Sequence, residues 1–227
     1  MNVDTLILAD FAARLRPSAQ RVVDLGAGVG ALSIAFAHLG RARRCDLVER
    51  APALAALAQL NLIAASIEGT VHVADLAGQG LPTSLRGKAD VVVSNPPFFD
   101  GASRGGEAVR ADDSRRAGRS GPLEPFLQAA TLAMGRRAHA FFAYPASALP
   151  ELLSKARAAG LVPKRLRLVH AFARSEARIA LVELRRAKPG GLVVEPPCIE
   201  WTASKVRSPE LEALVQGESR RSSADPE

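Results

Sequence analysis

The chain has 227 residues, a hydrophobic fraction of 48% and a formal net charge of +7, which suit one main domain with a single sizeable core. Cys45 and Cys198 are too few and too far apart for a disulfide scaffold, the four histidines lack metal-ligand spacing, and no apolar run reaches membrane-spanning length. The histidine spacing leads us to expect no metal. Because the N-terminus also lacks a basic segment followed by an apolar stretch, we expect a cytoplasmic protein.

The basic charge is compatible with two explanations. A sequence pI near 10.2 suits a polyanionic partner such as a nucleic acid. The competing explanation is a compositional bias toward arginine and alanine, which runs along the whole chain. The charge alone therefore favours a nucleic-acid partner without identifying one.

The first predicted unit is a strand, a glycine-rich turn and a helix. Residues 21–25 form a short apolar run, Gly26, Gly28 and Gly30 follow at alternate positions, and the pattern of residues 31–39 predicts a helix. Glycines let the backbone of such a turn approach a ligand closely, and the start of the helix offers unpaired N–H groups. The unit predicts a nucleotide-type ligand, and a tight turn without a ligand is the alternative.

Carboxylates accompany three successive predicted strands. Asp24 lies on the first strand, Glu49 follows the strand-like residues 45–48, and Asp75 follows the strand-like residues 70–73. Glu49 could accept hydrogen bonds from ribose hydroxyls, and Asp75 could accept one from an adenine amino group. Each acid could instead cap a helix or solvate a loop.

Two cofactor classes fit this spacing. Gly26, Gly28 and Ala31 also match the dinucleotide fingerprint with alanine in its last place, and Glu49 would serve either ligand. Asp24 favours S-adenosylmethionine, because an acid at this turn would repel a pyrophosphate but suits a ligand that carries an ammonium and a sulfonium.

A fourth predicted strand ends in a motif suited to a planar amine. The apolar residues 90–94 are followed directly by Asn95, Pro96, Pro97 and Phe98. The prolines remove two backbone donors, so the turn offers carbonyl oxygens together with the Asn95 side-chain oxygen. Phe98 offers a flat face on which an amide or a nucleobase could stack. The alternative is an ordinary turn that ends a strand.

A glycine-rich basic segment comes next. Its arginines are Arg104, Arg110, Arg115, Arg116 and Arg119. We interpret it as a mobile loop beside the target-base pocket that contacts phosphates, with simple solvation of a flexible loop as the alternative.

The rest of the chain continues the alternation of strands and helices. Helices are predicted over residues 52–65, 123–133 and 146–159, and strands over 138–144, 165–169 and 178–184. This pattern predicts an α/β domain over residues 1–185, with a mostly parallel sheet and helices on both faces. We expect residues 186–227 to be a short appendage, with strands around Val193 and Ile199 and disorder from about residue 217.

In combination, these motifs resemble those of class I S-adenosylmethionine-dependent methyltransferases that modify planar nitrogens. The resemblance covers about residues 4–184, and it is strongest to the bacterial tRNA (adenine-N6)-methyltransferases that act on valine tRNA beside the anticodon. Asp4–Ala9 looks like that family's entry segment, and Val169-His170 with Glu176–Val182 resembles its closing hairpin.

The resemblance implies a Rossmann-like fold with an antiparallel last strand, S-adenosylmethionine as cofactor and an RNA substrate, most readily tRNA. The implied catalytic residues are Asn95, Pro96, Pro97 and Phe98. The implied cofactor-binding residues are Asp24, Gly26, Gly28, Gly30, Glu49, Asp75 and Asn95.

Three other functions stay open at this point. Phe98 stands where the family more often has tyrosine, and Asn-Pro-Pro-Phe also occurs in rRNA guanine-N2 methyltransferases. A protein-glutamine N5-methyltransferase would use the same motif on a side-chain amide, but we expect that family's N-terminal helical domain to be missing because the chain starts close to its first strand. A nicotinamide-dependent oxidoreductase or a non-catalytic nucleotide-binding module is the third option, and no tyrosine–lysine pair suggests hydride transfer.

Overall fold

The structure is a computed structural model that describes residues 3–40, 42–96 and 122–217. The strands are β1 (Arg21–Leu25), β2 (Arg44–Glu49), β3 (Val71–Val73), β4 (Ala89–Ser94), β5 (Met134–Pro145), β6 (Val162–His170), β7 (Ala177–Arg185), β8 (Val193–Val194) and β9 (Cys198–Ile199). The α-helices among these residues are α1 (Val3–Leu15), α2 (Ala31–Gly40), α3 (Pro52–Ala64), α4 (Glu124–Ala133), α5 (Leu149–Ala158) and α6 (Pro209–Val215).

The strands form one mixed sheet. Within the described residues its order is β3-β2-β1-β4-β5-β7-β6-β8, and β9 also pairs with β6. Strands β1 to β5 are mutually parallel, whereas β7 is antiparallel to both β5 and β6. The predicted α/β fold with an antiparallel final strand is therefore confirmed.

Apolar side chains from the two faces of the sheet form two buried clusters. Val22, Val91 and Phe141 lie on the face covered by α1 and α2, and Val23 and Val92 lie on the face covered by α4 and α5. Successive residues of one strand enter opposite clusters, so the sheet is buried on both faces, as parallel sheets usually are.

Helix α1 is the main element that the sequence pattern did not predict. Every residue from Asp4 to Ala13 is buried, because the helix packs between the sheet, α2 and α6. A helix that is apolar on nearly all sides lacks the periodicity from which amphipathic helices are recognised. Arg178 of β7 forms ion pairs with Asp4 and Glu200, so the two ends of the chain meet at this helix.

The segment after residue 185 packs against the sheet. Strands β8 and β9 both form where strands were expected, but each pairs in parallel with β6 and not with the other. Cys198, Leu211 and Leu214 are buried in the same cluster as α1. The division at residue 185 stays a prediction, and the expected disorder from about residue 217 falls on residues 218–227, outside the described part.

No helix in the described part of the chain is long and apolar enough to cross a membrane. The same residues hold no group of three or more His, Cys, Asp or Glu side chains that could bind a metal ion.

Candidate active site

The predicted site residues meet at the carboxyl edge of the parallel strands. Leu25 pairs with Val48, and Asp24 pairs with Val93, so the residues that follow these strands lie side by side. Glu49, Gly26 and Asn95 are thereby brought together from β2, β1 and β4. In open α/β sheets this edge is where ligands bind.

Gly26 adopts a backbone conformation that few other residues tolerate. Its φ is +74°, and a Cβ built on it would lie 2.8 Å from Cε1 of Phe126 in α4. Its N–H donates to the Val48 carbonyl oxygen at 2.9 Å, which holds the turn against β2. Both the backbone angle and the ring therefore require glycine at this position.

Gly28 leaves open space at the middle of the same turn. Its φ is +56°, and a Cβ there would meet no atom within 4 Å. Gly30, in contrast, would bring a Cβ within 3.0 Å of Leu47 Cδ2 and 3.5 Å of the Ala58 Cβ. The first two glycines thus shape a concave turn, and the third lets the turn pack against β2 and α3.

Glu49 closes the turn from the end of β2. Its Oε2 accepts a hydrogen bond from the Gly28 N–H at 2.8 Å, and its Oε1 accepts one from the Ala51 N–H at 2.9 Å. The residue is only 7% exposed. Because each carboxylate oxygen has a second lone pair, the fixed carboxylate can still accept hydrogen bonds from a diol such as that of ribose.

Asp24 lies beneath the turn and is not on its surface. It is 1% exposed, and its Oδ2 accepts a hydrogen bond from the Ser33 hydroxyl at 2.9 Å. Burial raises the pKa of the Asp24 carboxyl to about 7, and the nearby Glu49 carboxylate adds to that rise. The charged group that acts on Asp24 is itself a carboxylate, that of Glu49, so the two acids together favour a cationic ligand above them.

Asp75 occupies the loop after β3. It is exposed, and its Oδ1 accepts a hydrogen bond from the Ala77 N–H at 3.1 Å, an arrangement typical of an Asx turn. Oδ2 is not used in that bond, so a contact with an adenine amino group stays a prediction.

Asn95 holds an unpaired acceptor at the centre of this edge. Its Oδ1 is buried and makes no hydrogen bond to any residue in the described part of the chain. Buried polar atoms are normally paired, and leaving one unpaired costs about 1–3 kcal/mol. Such an atom at a ligand-binding edge is the arrangement expected of a group that accepts a hydrogen bond from a substrate amine.

Sequence reasoning missed three side chains that support the site. Ser94 is buried and its hydroxyl donates to the Leu25 carbonyl oxygen at 2.8 Å, which joins the ends of β4 and β1. Asn61 of α3 donates from Nδ2 to the Val29 carbonyl oxygen at 2.9 Å, and Phe126 stands over Gly26. Only Ser94 gave a usable signal, since it directly precedes the Asn-Pro-Pro motif.

Several predicted residues lie outside the described part of the chain. Pro96 is buried beside Asn95, whereas Pro97 and Phe98 belong to residues 97–121, which are not described. The predicted RNA-contacting residues Arg104, Arg110, Arg115, Arg116 and Arg119 also fall in that range. Their roles stay predictions.

The fold and part of the sequence match known methyltransferases. A family model described as "Methyltransferase small domain" matches residues 4–111. A crystal structure of an Agrobacterium tumefaciens protein described as a predicted O-methyltransferase superposes with a TM-score of 0.68 at 23% identity, covering 95% of this chain and 96% of that one. Residues 4–111 thus resemble a methyltransferase family, and the chain has the Rossmann-like fold of class I S-adenosylmethionine-dependent methyltransferases.

Other solved structures extend the likeness of this chain at the level of the fold. A methyltransferase subunit of a type I restriction-modification system from Streptococcus thermophilus gives a TM-score of 0.65 at 16% identity. The match covers 96% of this chain and 53% of that one. Identities this low concern the fold alone.

Curated relatives resemble the chain over a shorter stretch. The ribosomal RNA small subunit methyltransferase C of an Escherichia coli strain, O7:K1, is 38% identical over 84 residues. The matched stretch is 36% of this chain and 22% of that protein, so the chain spans about a fifth of the length of these relatives. The match is to a methyltransferase named for an RNA substrate.

The methyl donor is S-adenosylmethionine. The residues at the sheet edge fit this cofactor. The open glycine turn lets the protein backbone approach it closely, the fixed Glu49 carboxylate suits its ribose diol, and the buried Asp24 suits its cationic end. The predicted cofactor is therefore confirmed as a class, whereas the individual cofactor-binding residues stay proposals.

Proposed function

We propose that this protein is an S-adenosylmethionine-dependent methyltransferase that methylates an exocyclic amino group of a nucleobase in RNA. The observation that carries the proposal is the buried Asn95 Oδ1, which lacks a partner in the described residues and lies at the ligand-binding edge. The net charge of +7 and the match to a ribosomal RNA methyltransferase support a polyanionic substrate.

Asn95 and the carbonyl oxygen of Pro96 would prepare the amine for attack. An aromatic amine is a weak nucleophile because its lone pair is delocalised into the ring. Two hydrogen bonds from the amine to these acceptors would localise that lone pair and orient it. The bonds strengthen as positive charge develops on nitrogen, so they stabilise the transition state more than the bound substrate.

Glu49 and the glycine turn would hold the methyl donor beside this amine. When bound, S-adenosylmethionine supplies an electrophilic methyl group on its sulfonium. Glu49 would accept hydrogen bonds from the ribose hydroxyls while its bonds to Gly28 and Ala51 keep the carboxylate in place. Phe98 would stack on the target base after it leaves its RNA stack. No described side chain at this edge is placed as a general base, so the product proton would leave to water.

We propose guanine N2 of ribosomal RNA as the target, in preference to adenine N6 of tRNA. Phe98 in the Asn-Pro-Pro-Phe motif and the similarity to ribosomal RNA methyltransferases both favour the guanine target. The resemblance to the tRNA (adenine-N6)-methyltransferases rests on Asp4–Ala9 and residues 176–182 and supports the second candidate. The arginines from Arg104 to Arg119 would contact phosphates in either case.

The experiment that tests this proposal identifies the modified nucleoside. The protein and labelled S-adenosylmethionine are incubated separately with ribosomal RNA and with tRNA that lack modification, and the digested nucleosides are analysed by mass spectrometry. N2-methylguanosine from ribosomal RNA is the expected product. N6-methyladenosine from tRNA would establish the second candidate instead, and methylated glutamine in a release-factor substrate, with no RNA product, would overturn the RNA proposal.

A further inference from the structure

A second polar pocket lies on the α1 face of the sheet, away from the methyl-donor turn. It has a volume of about 300 Å³ and is lined in part by His139 of β5, Lys164 and Arg165 of β6, and Glu183 and Arg185 of β7. Ser94 pairs with Phe142 on β5, so His139 lies three residues back from the catalytic edge, about 10 Å along the strand. The methyl-transfer chemistry uses none of these five residues.

The acidic groups around this pocket are already paired. Glu183 is 4% exposed, and its Oε1 lies 2.5 Å from His139 Nδ1. Its Oε2 lies 3.8 Å from Arg165 Nε. Glu195 contacts Arg165 at 3.3 Å and Arg14 at 3.5 Å. Arg165 therefore lies within 4 Å of both carboxylates, and Arg14 contacts Glu195 as well.

Two further basic groups of the pocket, in contrast, have no acidic partner among the described residues. Arg185 is half-buried, and its guanidinium makes no hydrogen bond or ion pair with the residues that the structure describes. Lys164 donates from Nζ to the carbonyl oxygens of Lys188 at 2.8 Å and Gly190 at 2.6 Å. An ammonium group has three donors and a guanidinium five, so one N–H of Lys164 and the whole fork of Arg185 stay available.

We propose that this pocket binds a backbone phosphate of the RNA substrate, with Arg185 as its principal ligand and Lys164 as the second donor. The inference rests on the proposed RNA substrate. A guanidinium presents parallel N–H groups that match two phosphate oxygens, which makes an unpaired arginine in a basic pocket a suitable phosphate ligand. The pocket would engage a nucleotide that flanks the target base and would fix the direction of the strand.

The test measures RNA binding by the full-length protein without a methyl donor. A fluorescently labelled single-stranded RNA oligonucleotide is titrated by anisotropy over a series of KCl concentrations. Arg185→Gln should weaken binding and make the slope of log affinity against log salt shallower by about 0.7, the value for one lost phosphate contact on a single strand. Arg185→Lys should retain the slope because it retains the charge.

Arg157→Gln is the matched control. Arg157 is an exposed arginine on α5, which covers the other face of the sheet, and its loss removes the same charge. It should leave the salt slope unchanged. Equal losses of RNA affinity in both variants would mean that only net charge matters, and this would contradict the proposed phosphate site. An unchanged salt slope in Arg185→Gln would contradict it as well. Thermal melting checks that each variant is folded.

Inorganic phosphate at matched ionic strength separates the two sources of the anion. It should displace labelled RNA from the parent protein more effectively than from Arg185→Gln. Protection of the fold by phosphate with no change in the RNA slope would assign the pocket to a free anion and overturn the proposal. Arg185-dependent RNA binding without any RNA methylation would contradict the proposed function alone, whereas RNA methylation with an unchanged salt slope would contradict this inference alone.

Discussion

The two halves of the sheet differ in whether their buried polar groups have partners. At the carboxyl edge of β1, β2 and β4, the Asn95 oxygen is buried without a hydrogen-bond partner among the described residues. Within the same part of the chain, no cation counteracts the raised pKa of the buried Asp24 carboxyl. Across β5, β7 and β6, the buried Glu183 and the partly buried Glu195 each lie within 4 Å of Arg165. Unpaired groups in a folded protein cost stability, so we infer that the first edge is arranged for a ligand and that the buried ion pairs of the second half stabilise the fold.

The strongest test of this difference is Asn95→Ala. We expect the rate of methyl transfer to fall by about a hundredfold or more, because the lost oxygen aligns the amine only during the reaction. Single-turnover assays with labelled S-adenosylmethionine and RNA measure the rate. The affinity for the methyl donor should change little, which separates loss of chemistry from loss of folding. A variant that methylates RNA at the parent rate would remove Asn95 from the mechanism.

The sequence predicted the residues at the carboxyl edge of the parallel strands better than it predicted the helices that pack around that edge. Asn95 and Glu49 were found because each directly follows an apolar strand pattern, and parallel strands place such residues at one edge. Phe126 was missed because its approach to Gly26 depends on how α4 packs, which no local pattern encodes. Helix α1 was missed for a related reason, since burial on almost every side removes its periodicity.

Strand β5 shows a further limit of sequence patterns. The pattern predicted a strand from residue 138, whereas β5 begins at Met134 and includes the exposed Arg136 and Arg137. Charged side chains weaken the apolar signal at the start of the strand, but pairing of Ala89 with Met134 extends the sheet there. Tertiary hydrogen bonding outweighed the local composition.

In the paired half, breaking a buried ion pair should cost stability and leave the catalytic step alone. Arg167 is 7% exposed and donates to Glu210 on α6 at 2.9 Å and to the Pro196 carbonyl oxygen at 3.0 Å. We expect Arg167→Gln to lower the free energy of unfolding by about 2 kcal/mol, which is about a 30-fold change in the folding equilibrium. Urea denaturation measures it.

The control for Arg167 is an arginine that pairs with the same helix, α6. Arg207 pairs with Glu212 at 3.3 Å, and both side chains are more than 40% exposed. Arg207→Gln should cost less than about 1 kcal/mol, since exposed pairs contribute little. If both variants lose equally little, α6 is not held by Arg167, and the segment after residue 185 is better described as a loosely attached appendage.

At the ligand edge, Gly26→Ala should weaken binding of the methyl donor by about tenfold or more. The substitution strains a φ of +74° and brings a Cβ within 2.8 Å of Phe126, and strain of this kind costs about 1–3 kcal/mol. Calorimetry with S-adenosylhomocysteine measures the affinity. Gly160→Ala is the control, because it has a φ of +78° with no neighbour within 4 Å of the new Cβ. It should lower stability without affecting affinity.

The smallest expected effect is a dependence of donor affinity on pH that originates in Asp24. Burial raises the pKa of its carboxyl to about 7, so below that pH the neutral form dominates. A cationic ligand above the turn favours the ionised form, and binding must then release a proton. We expect affinity to weaken as pH falls below about 7, several-fold and by no more than about tenfold per pH unit.

Asp24→Asn decides whether this carboxyl is the source. The asparagine can still accept the Ser33 hydrogen bond but cannot ionise, so the pH dependence of affinity below 7 should flatten.

The stability of the ligand-free protein gives an independent readout with a defined sign. The unfolded chain loses this proton near the ordinary pKa of 3.8, whereas the folded protein retains it to about 7. Parent stability should therefore fall as pH rises between these values, and the fall should be smaller in Asp24→Asn. Identical pH profiles for the two proteins in both measurements would mean that Asp24 carries its charge unperturbed, and the contrast between the two halves of the sheet would then rest on Asn95 alone.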